Sequence, residues 1–313
     1  MRARLQRLRA LLAAPFRPLR GRDLALHAAA VTFYAGIAVV PVALLAVWLT
    51  GLIAGADRVR RLTGHTIAAL PDAIGVPRAL SALIEAGLHL TPVLALASLL
   101  PATLYGEGLR RAFVSLSRPG ESLVGWRGRL LWLPLLAAAP ALLLAMFLAL
   151  PVTSGLWVRG GWYAILGVVL SFLAAWLVLT PVVIWVYRYV APGRPDPLVT
   201  TLVGSFTAAN LSGFLHGFVL FCSLPLNLGA PFGGFTEIGG MVAAGLWLYL
   251  FHVIVLAGYA ATLTFSATRS RRAALPDDTG QPAEADQPAE ADQPAEADHP
   301  AEADRAEGGL RSA

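Results

Sequence analysis

The chain has 313 residues, 57% of them hydrophobic and 14% charged, with a mean hydropathy of +0.65 and a formal charge of +5. A soluble domain carries about 25% charged residues, and here long uncharged blocks alternate with short arginine-rich ones, which argues against a soluble protein. All 24 basic residues are arginines that flank the apolar blocks, so membrane topology and anionic lipid account for the basicity before nucleic acid does.

In chain order, residues 1–22 form an arginine-rich segment with seven arginines. The run Asp23–Thr50 follows, and no further formal charge appears until Asp57. This reads as span 1, about 24–54, an uncleaved anchor too long for a signal-peptide core. Pro41 is its expected kink. The outer loop 56–88 reads as two short surface helices, about 58–70 and 77–88. Span 2 is about 90–113 and ends in YGEGLRRAF. Span 3 is about 130–152 and is followed by a turn, TSGLWVRGGW. Span 4 is about 163–188, span 5 about 198–222 and span 6 about 235–266. Cys222 is the single cysteine, so no intrachain disulfide is expected. The segment 269–313 contains four six-residue PAEAD-type repeats, with proline every six residues and no core-forming side chains. It reads as a disordered acidic tail.

Seventeen arginines fall on the side of the termini and five on the other, with two more in the tail. The expected fold class is therefore an all-α polytopic membrane protein with six transmembrane helices and both termini cytoplasmic. The membrane domain is 23–268.

Ionisable and polar groups inside a bilayer are functional candidates because each costs energy to bury. Counting depth along each span puts Tyr34, Glu107 and Asn210 in the inner half, with His216 and His252 farther out. They are expected to line one inward-facing polar cavity between spans 1, 2, 5 and 6. Four of the five have a structural alternative. Glu107 faces Arg110 and Arg111 at i+3 and i+4; Asn210 suits an interhelical hydrogen bond; each histidine suits a satisfied bundle position. Arg110, Arg111, Arg127 and Arg129 form a candidate collar for anionic lipid. Gly213 and Gly217 make a GxxxG, and Gly239 and Gly240 a second small-residue face, both expected to permit close helix packing. Asp23 with His27, and Glu85 with His89, stand at i, i+4; the first suggests a local salt bridge, and the second is too few ligands for a metal. No P-loop, GxGxxG, CxxC, HExxH or GxSxG occurs, so no enzymatic role, metal or cofactor is expected.

Three stretches carry a family resemblance: HAAAVTFYAGIAVVPVALL, YGEGLRRAF and FGGFTEIGGMVAAGLWLYLFHVIVLAGYAATL. Together with the six-span layout they make residues 20–268 similar to the YihY/BrkB family of bacterial inner-membrane proteins. The resemblance implies an all-helical membrane protein. The family's labels, virulence factor BrkB and the older ribonuclease BN, imply envelope resistance and tRNA processing respectively, and transport, including of lipid, is its usual conjecture. The last span here ends LAGYA where a glycine-alanine-glutamate ending is expected, so an acidic site at that point is absent. The leading expectation is a transporter or permease for a lipid, small solute or ion. The alternative is a non-transporting envelope protein that binds lipid or partner proteins, and a ribonuclease is the remote one. Expected partners are anionic lipids of the cytoplasmic leaflet, a lipid or small-solute substrate and further copies of the chain, with no nucleic acid.

Overall fold

Where every stretch of 18 or more residues is apolar and backbone groups must be satisfied without water, the helix is the available solution. The computed structural model describes residues 23–68, 76–117 and 124–273. The arginine-rich start, the connections 69–75 and 118–123 and the acidic repeats lie outside the described residues. Eight α-helices follow one another: α1 Leu24–Ala54, α2 Ala56–Ala68, α3 Val76–Leu88, α4 Pro92–Ser117, α5 Val124–Val158, α6 Gly161–Trp185, α7 Pro197–Ser223 and α8 Thr236–Ala273. Six of them (all but α2 and α3) are long and apolar enough to cross a membrane. Among the described residues there is no strand.

The helix starts follow local chemistry. Asp23 caps α1, its Oδ1 accepting from Leu26 N at 2.9 Å, and Asp196 caps α7 by accepting from Val199 N at 3.0 Å. His27 bonds the Asp23 backbone carbonyl at 2.8 Å, because the carboxylate is already committed to the cap. Pro41, Pro101 and Pro181 sit inside α1, α4 and α6. Span 3 runs farther than expected. The TSGLWV stretch continues α5 to Val158, and the turn is confined to the next residues, where Gly160 and Gly161 take φ of 69° and 55°. Only glycine adopts that conformation cheaply. The end of α6 loosens into a π-turn, Val186–Val190.

The long helices form a ring in which α1 neighbours α4, then α5, α6, α7 and α8, and α8 returns to α1. The core lies on the inner faces, where Ala28, Val31, Phe113, Tyr187, Leu256 and Tyr259 are fully buried. We call the end where α1 begins and α8 finishes the near end, and the opposite one the far end. At the far end α3 packs on α1 and α2 on α5. A small separate core of Val47, Val59, Ile84 and Phe147 holds this α2–α3 cap in place. An exposed clasp joins the two cap helices: Arg60 Nε and Nη2 each donate to Glu85 at 3.0 Å.

The hydrogen bonds from Arg60 hold the Glu85 carboxyl below its ordinary range. A depressed carboxylate stabilises above its unfolded pKa and loses that contribution as pH falls through the folded value. Amide protection of α2 and α3 is therefore expected to drop as pH goes below about 4. Arg60→Ala should show the reduced protection already at neutral pH. The change should be no more than a few-fold, since the pair is solvent-exposed. Hydrogen exchange corrected for intrinsic rates reads it.

Candidate functional site

The polar side chains inside the ring separate into distinct clusters. His252, on the inner face of α8, is fully buried. Its Nδ1 lies 3.1 Å from Thr32 Oγ1 on α1 and its Nε2 3.0 Å from the Tyr105 hydroxyl on α4. Thr32 Oγ1 also bonds the Ala28 carbonyl at 2.8 Å, and the His252 ring bonds the Leu248 backbone carbonyl one turn back, an acceptor that only a ring N–H can meet. Nδ1 therefore carries the imidazole proton, and Nε2 accepts from Tyr105. A chain of three bonds results, Tyr105 to His252 to Thr32 to the α1 backbone.

Next to this chain is a half-open cavity of about 510 Å³ between α1, α4, α5, α6 and α8, with the exposed Val39 among its lining residues. Ala38, Val42 and Ala46, Leu142 and Met146 carry its walls, with Tyr105, His252 and Trp132 at one end. No acidic or basic residue other than His252 lines it. The volume is typical of a small-molecule site. Toward the near end it is closed, because Ala28, Val31, Leu109 and Phe113 fill the next turns of α1 and α4 completely. Toward the far end it reaches Leu143, which also packs against the α2–α3 cap core.

Glu107 sits elsewhere, at the crossing of α4 and α5. It is buried and carries two ion pairs, one to Arg111 Nη2 and one to Arg129 Nε, both at 2.7 Å. The crossing is tight because both helices present glycine. A Cβ on Gly128 would lie 2.5 Å from the Gly106 carbonyl oxygen and 2.8 Å from Glu107 Cα. Arg129 also lies over the Trp126 ring at 5.9 Å. Arg127 is exposed on the first turns of α5. Arg110, one residue before Arg111, points away and buries its guanidinium against the π-turn, donating to the Val190 carbonyl at 2.6 Å. Tyr187 donates to Val255 O at 2.6 Å and Tyr259 to Pro192 O at 2.7 Å, so α6 and α8 are tied together at the same end.

The remaining expected site residues lie apart. Tyr34 is half-buried, its ring against Gly108 of α4, where a Cβ would come within 2.6 Å of it. Asn210 is exposed on α7 and bonds within its own helix, to Phe206 O at 2.8 Å. His216 joins α7 to α6 through Ser171 Oγ at 2.9 Å while bonding Ser212 O at 2.8 Å. The five residues expected around one inward-facing polar cavity thus do not converge. The rotations of their helices send them to different interfaces. Only His252 lines the central cavity, and that cavity is apolar.

The glycine expectations divide in the same way. Gly213 and Gly217 face the Phe172 and Trp247 rings at ordinary contact distances of 3.6 and 3.4 Å rather than a helix backbone. Gly239 is buried against the Leu228 carbonyl of its own preceding linker, and Gly240 has open space. Close helix approach occurs instead at Gly106 and Gly128. Sequence reasoning also missed Tyr105 and Trp132. The signal for the crossing was the Gly-Glu-Gly of span 2 facing the Gly125 and Gly128 pair. Glu85 and His89 come within 3.6 Å of each other beside Arg60, and among the described residues no group of three or more His, Cys, Asp or Glu could hold a metal.

No curated relative and no solved structure matches the chain. A family model described as virulence factor BrkB matches residues 16–285, a span that takes in all six long helices and both clusters described above, and the chain belongs to that family.

Proposed function

We propose that the protein is an integral inner-membrane carrier that accommodates a lipid-like amphiphile in the apolar cavity between α1, α4, α5, α6 and α8. The observation that carries this reading is the cavity itself. It holds about 510 Å³ at mid-bundle, with apolar walls and a single polar end at Tyr105 and His252. A membrane interior supplies acyl chains, not water, to such a space. A permanently charged solute would meet no counter-charge there. With both termini cytoplasmic, as the arginine distribution suggests, the cavity would extend toward the outer leaflet, and the packed near end would be the closed gate. On this reading the chain works as a carrier rather than an enzyme, and the arginines of the near end meet anionic headgroups.

The test uses proteoliposomes carrying a fluorescent lipid whose outer-leaflet copies can be chemically quenched. Ala43→Trp puts an indole into the cavity. Lipid exchange is expected to fall at least roughly tenfold, the rate equivalent of about 1.4 kcal/mol, with the unfolding midpoint preserved. Undiminished exchange in a folded Ala43→Trp protein would remove the cavity from the path. The closed near end favours a second reading, a protein that binds lipid without moving it. That reading expects no exchange in wild type, and a co-purifying lipid that Ala43→Trp expels.

A further inference from the structure

We infer that the cavity recognises a neutral long-chain alcohol, its hydroxyl seated between Tyr105 and Trp132 and its chain lying along α1 and α5. This rests on the cavity being a lipid site and adds the chemistry of its polar end. Two observations define that end. Tyr105 has given its proton to His252, because the ring N–H on the other side is committed to the Leu248 backbone carbonyl. Its oxygen keeps lone pairs and so offers an acceptor.

Trp132 packs edge-on to Tyr105 with ring centroids 4.8 Å apart and lines the same cavity. It is only 8% exposed, and its indole Nε1 has no hydrogen-bond partner among the described residues. A buried indole N–H ordinarily finds a partner. The site therefore has an acceptor at Tyr105 and an unpartnered indole donor on the ring packed against it; the donor atom itself is buried, so a ligand hydroxyl reaches it as the Trp132 ring turns toward the cavity. A hydroxyl satisfies both, donating to Tyr105 Oη and accepting from Trp132 Nε1. An alkane satisfies neither. A sulfate or phosphate ester brings acceptors only, repels the Tyr105 oxygen and places a charge in an apolar chamber.

The experiment uses the full chain in phosphatidylcholine vesicles and two photoreactive probes, a diazirine-bearing hexadecanol and the matching hexadecyl sulfate. Labelled peptides are mapped by mass spectrometry. The alcohol is expected to label the cavity-lining parts of α1 and α5, and the sulfate about tenfold less. Tyr105→Phe and Trp132→Phe should each lower alcohol labelling by roughly 3–10-fold, the loss of one hydrogen bond, and Ala43→Trp should abolish it. Equal labelling by alcohol and sulfate, or both phenylalanine variants labelling as wild type does, overturns the hydroxyl recognition and leaves the carrier reading standing. Absence of cavity labelling by either probe overturns both. Should one variant unfold, the alcohol-to-sulfate ratio on folded wild type still decides the point.

Discussion

Gly128→Ala is expected to destabilise the protein by about 1–3 kcal/mol or more, the range of overpacking in a tight interface. The methyl group would meet the Gly106 carbonyl oxygen at 2.5 Å and the Glu107 Cα at 2.8 Å. Both are backbone atoms of α4, so no side-chain rotation relieves the clash. The helices must separate, and in a bilayer packing contacts are much of what holds helices together. The same crossing carries the Glu107 ion pairs and the Tyr105–Trp132 contact. The damage should therefore spread to the cavity end. Denaturant unfolding in mixed micelles measures the loss. Gly36→Ala is the control. That glycine is exposed in mid-helix with nothing within 4 Å of the added carbon, so alanine there should be neutral or stabilising by about 0.5–1 kcal/mol. Equal stability of the two variants would show that the α4–α5 approach is not tight.

Glu107→Ala comes second. It leaves Arg111 and Arg129 facing one another without the carboxylate that both contact at 2.7 Å. Removing one partner of a buried pair costs about 3–5 kcal/mol. The Arg111 side chain is 54% exposed, so its charge is partly solvated and a loss of about 2–3 kcal/mol is expected. Adding Arg129→Leu should recover part of that loss, and a double-mutant cycle measures the coupling. Lipid exchange by folded Glu107→Gln should stay near wild type, because the carboxylate joins α4 to α5 and does not line the cavity. A Glu107→Gln protein with intact stability and abolished exchange would return Glu107 to the transport path.

The six long helices were legible because hydropathy and length are summed over many residues, so single deviations cancel. The short helices Ala56–Ala68 and Val76–Leu88 fell close to the intervals expected from their apolar spacing. The pairing of Glu107 with Arg111 was also legible, being local to one helix turn. Its second partner, Arg129, was not, since it comes from the next helix. Nor was the divergence of Arg110, which a single residue step turns by about 100° toward Val190.

Depth counting placed Tyr34, Glu107 and Asn210 in the inner half, with His216 and His252 farther out. It gave no angle about the helix axis, and the angle decides whether a side chain meets a cavity, a glycine or the lipid-facing side. Asn210 faces outward because Ala208, Leu211 and Ser212 occupy the buried face of α7. The glycine motif misled for a related reason. GxxxG names a smooth strip on one helix and says nothing of what lies opposite, whereas Gly106 and Gly128 are decisive because each is the other's neighbour.

The placement of α8 between α1 and α7 has a consequence for synthesis. Thr32 and His252 are 220 residues apart, and at about 5–20 residues per second the last wall of the chamber is made roughly 10–40 s after the first. Until then Tyr105 and Thr32 lack the imidazole that joins them, and α1 lacks one of its two ring neighbours. A ribosome stalled before α8 would leave five inserted spans and an open trough facing lipid. Quality control that senses such a trough would be inspecting the central cavity itself.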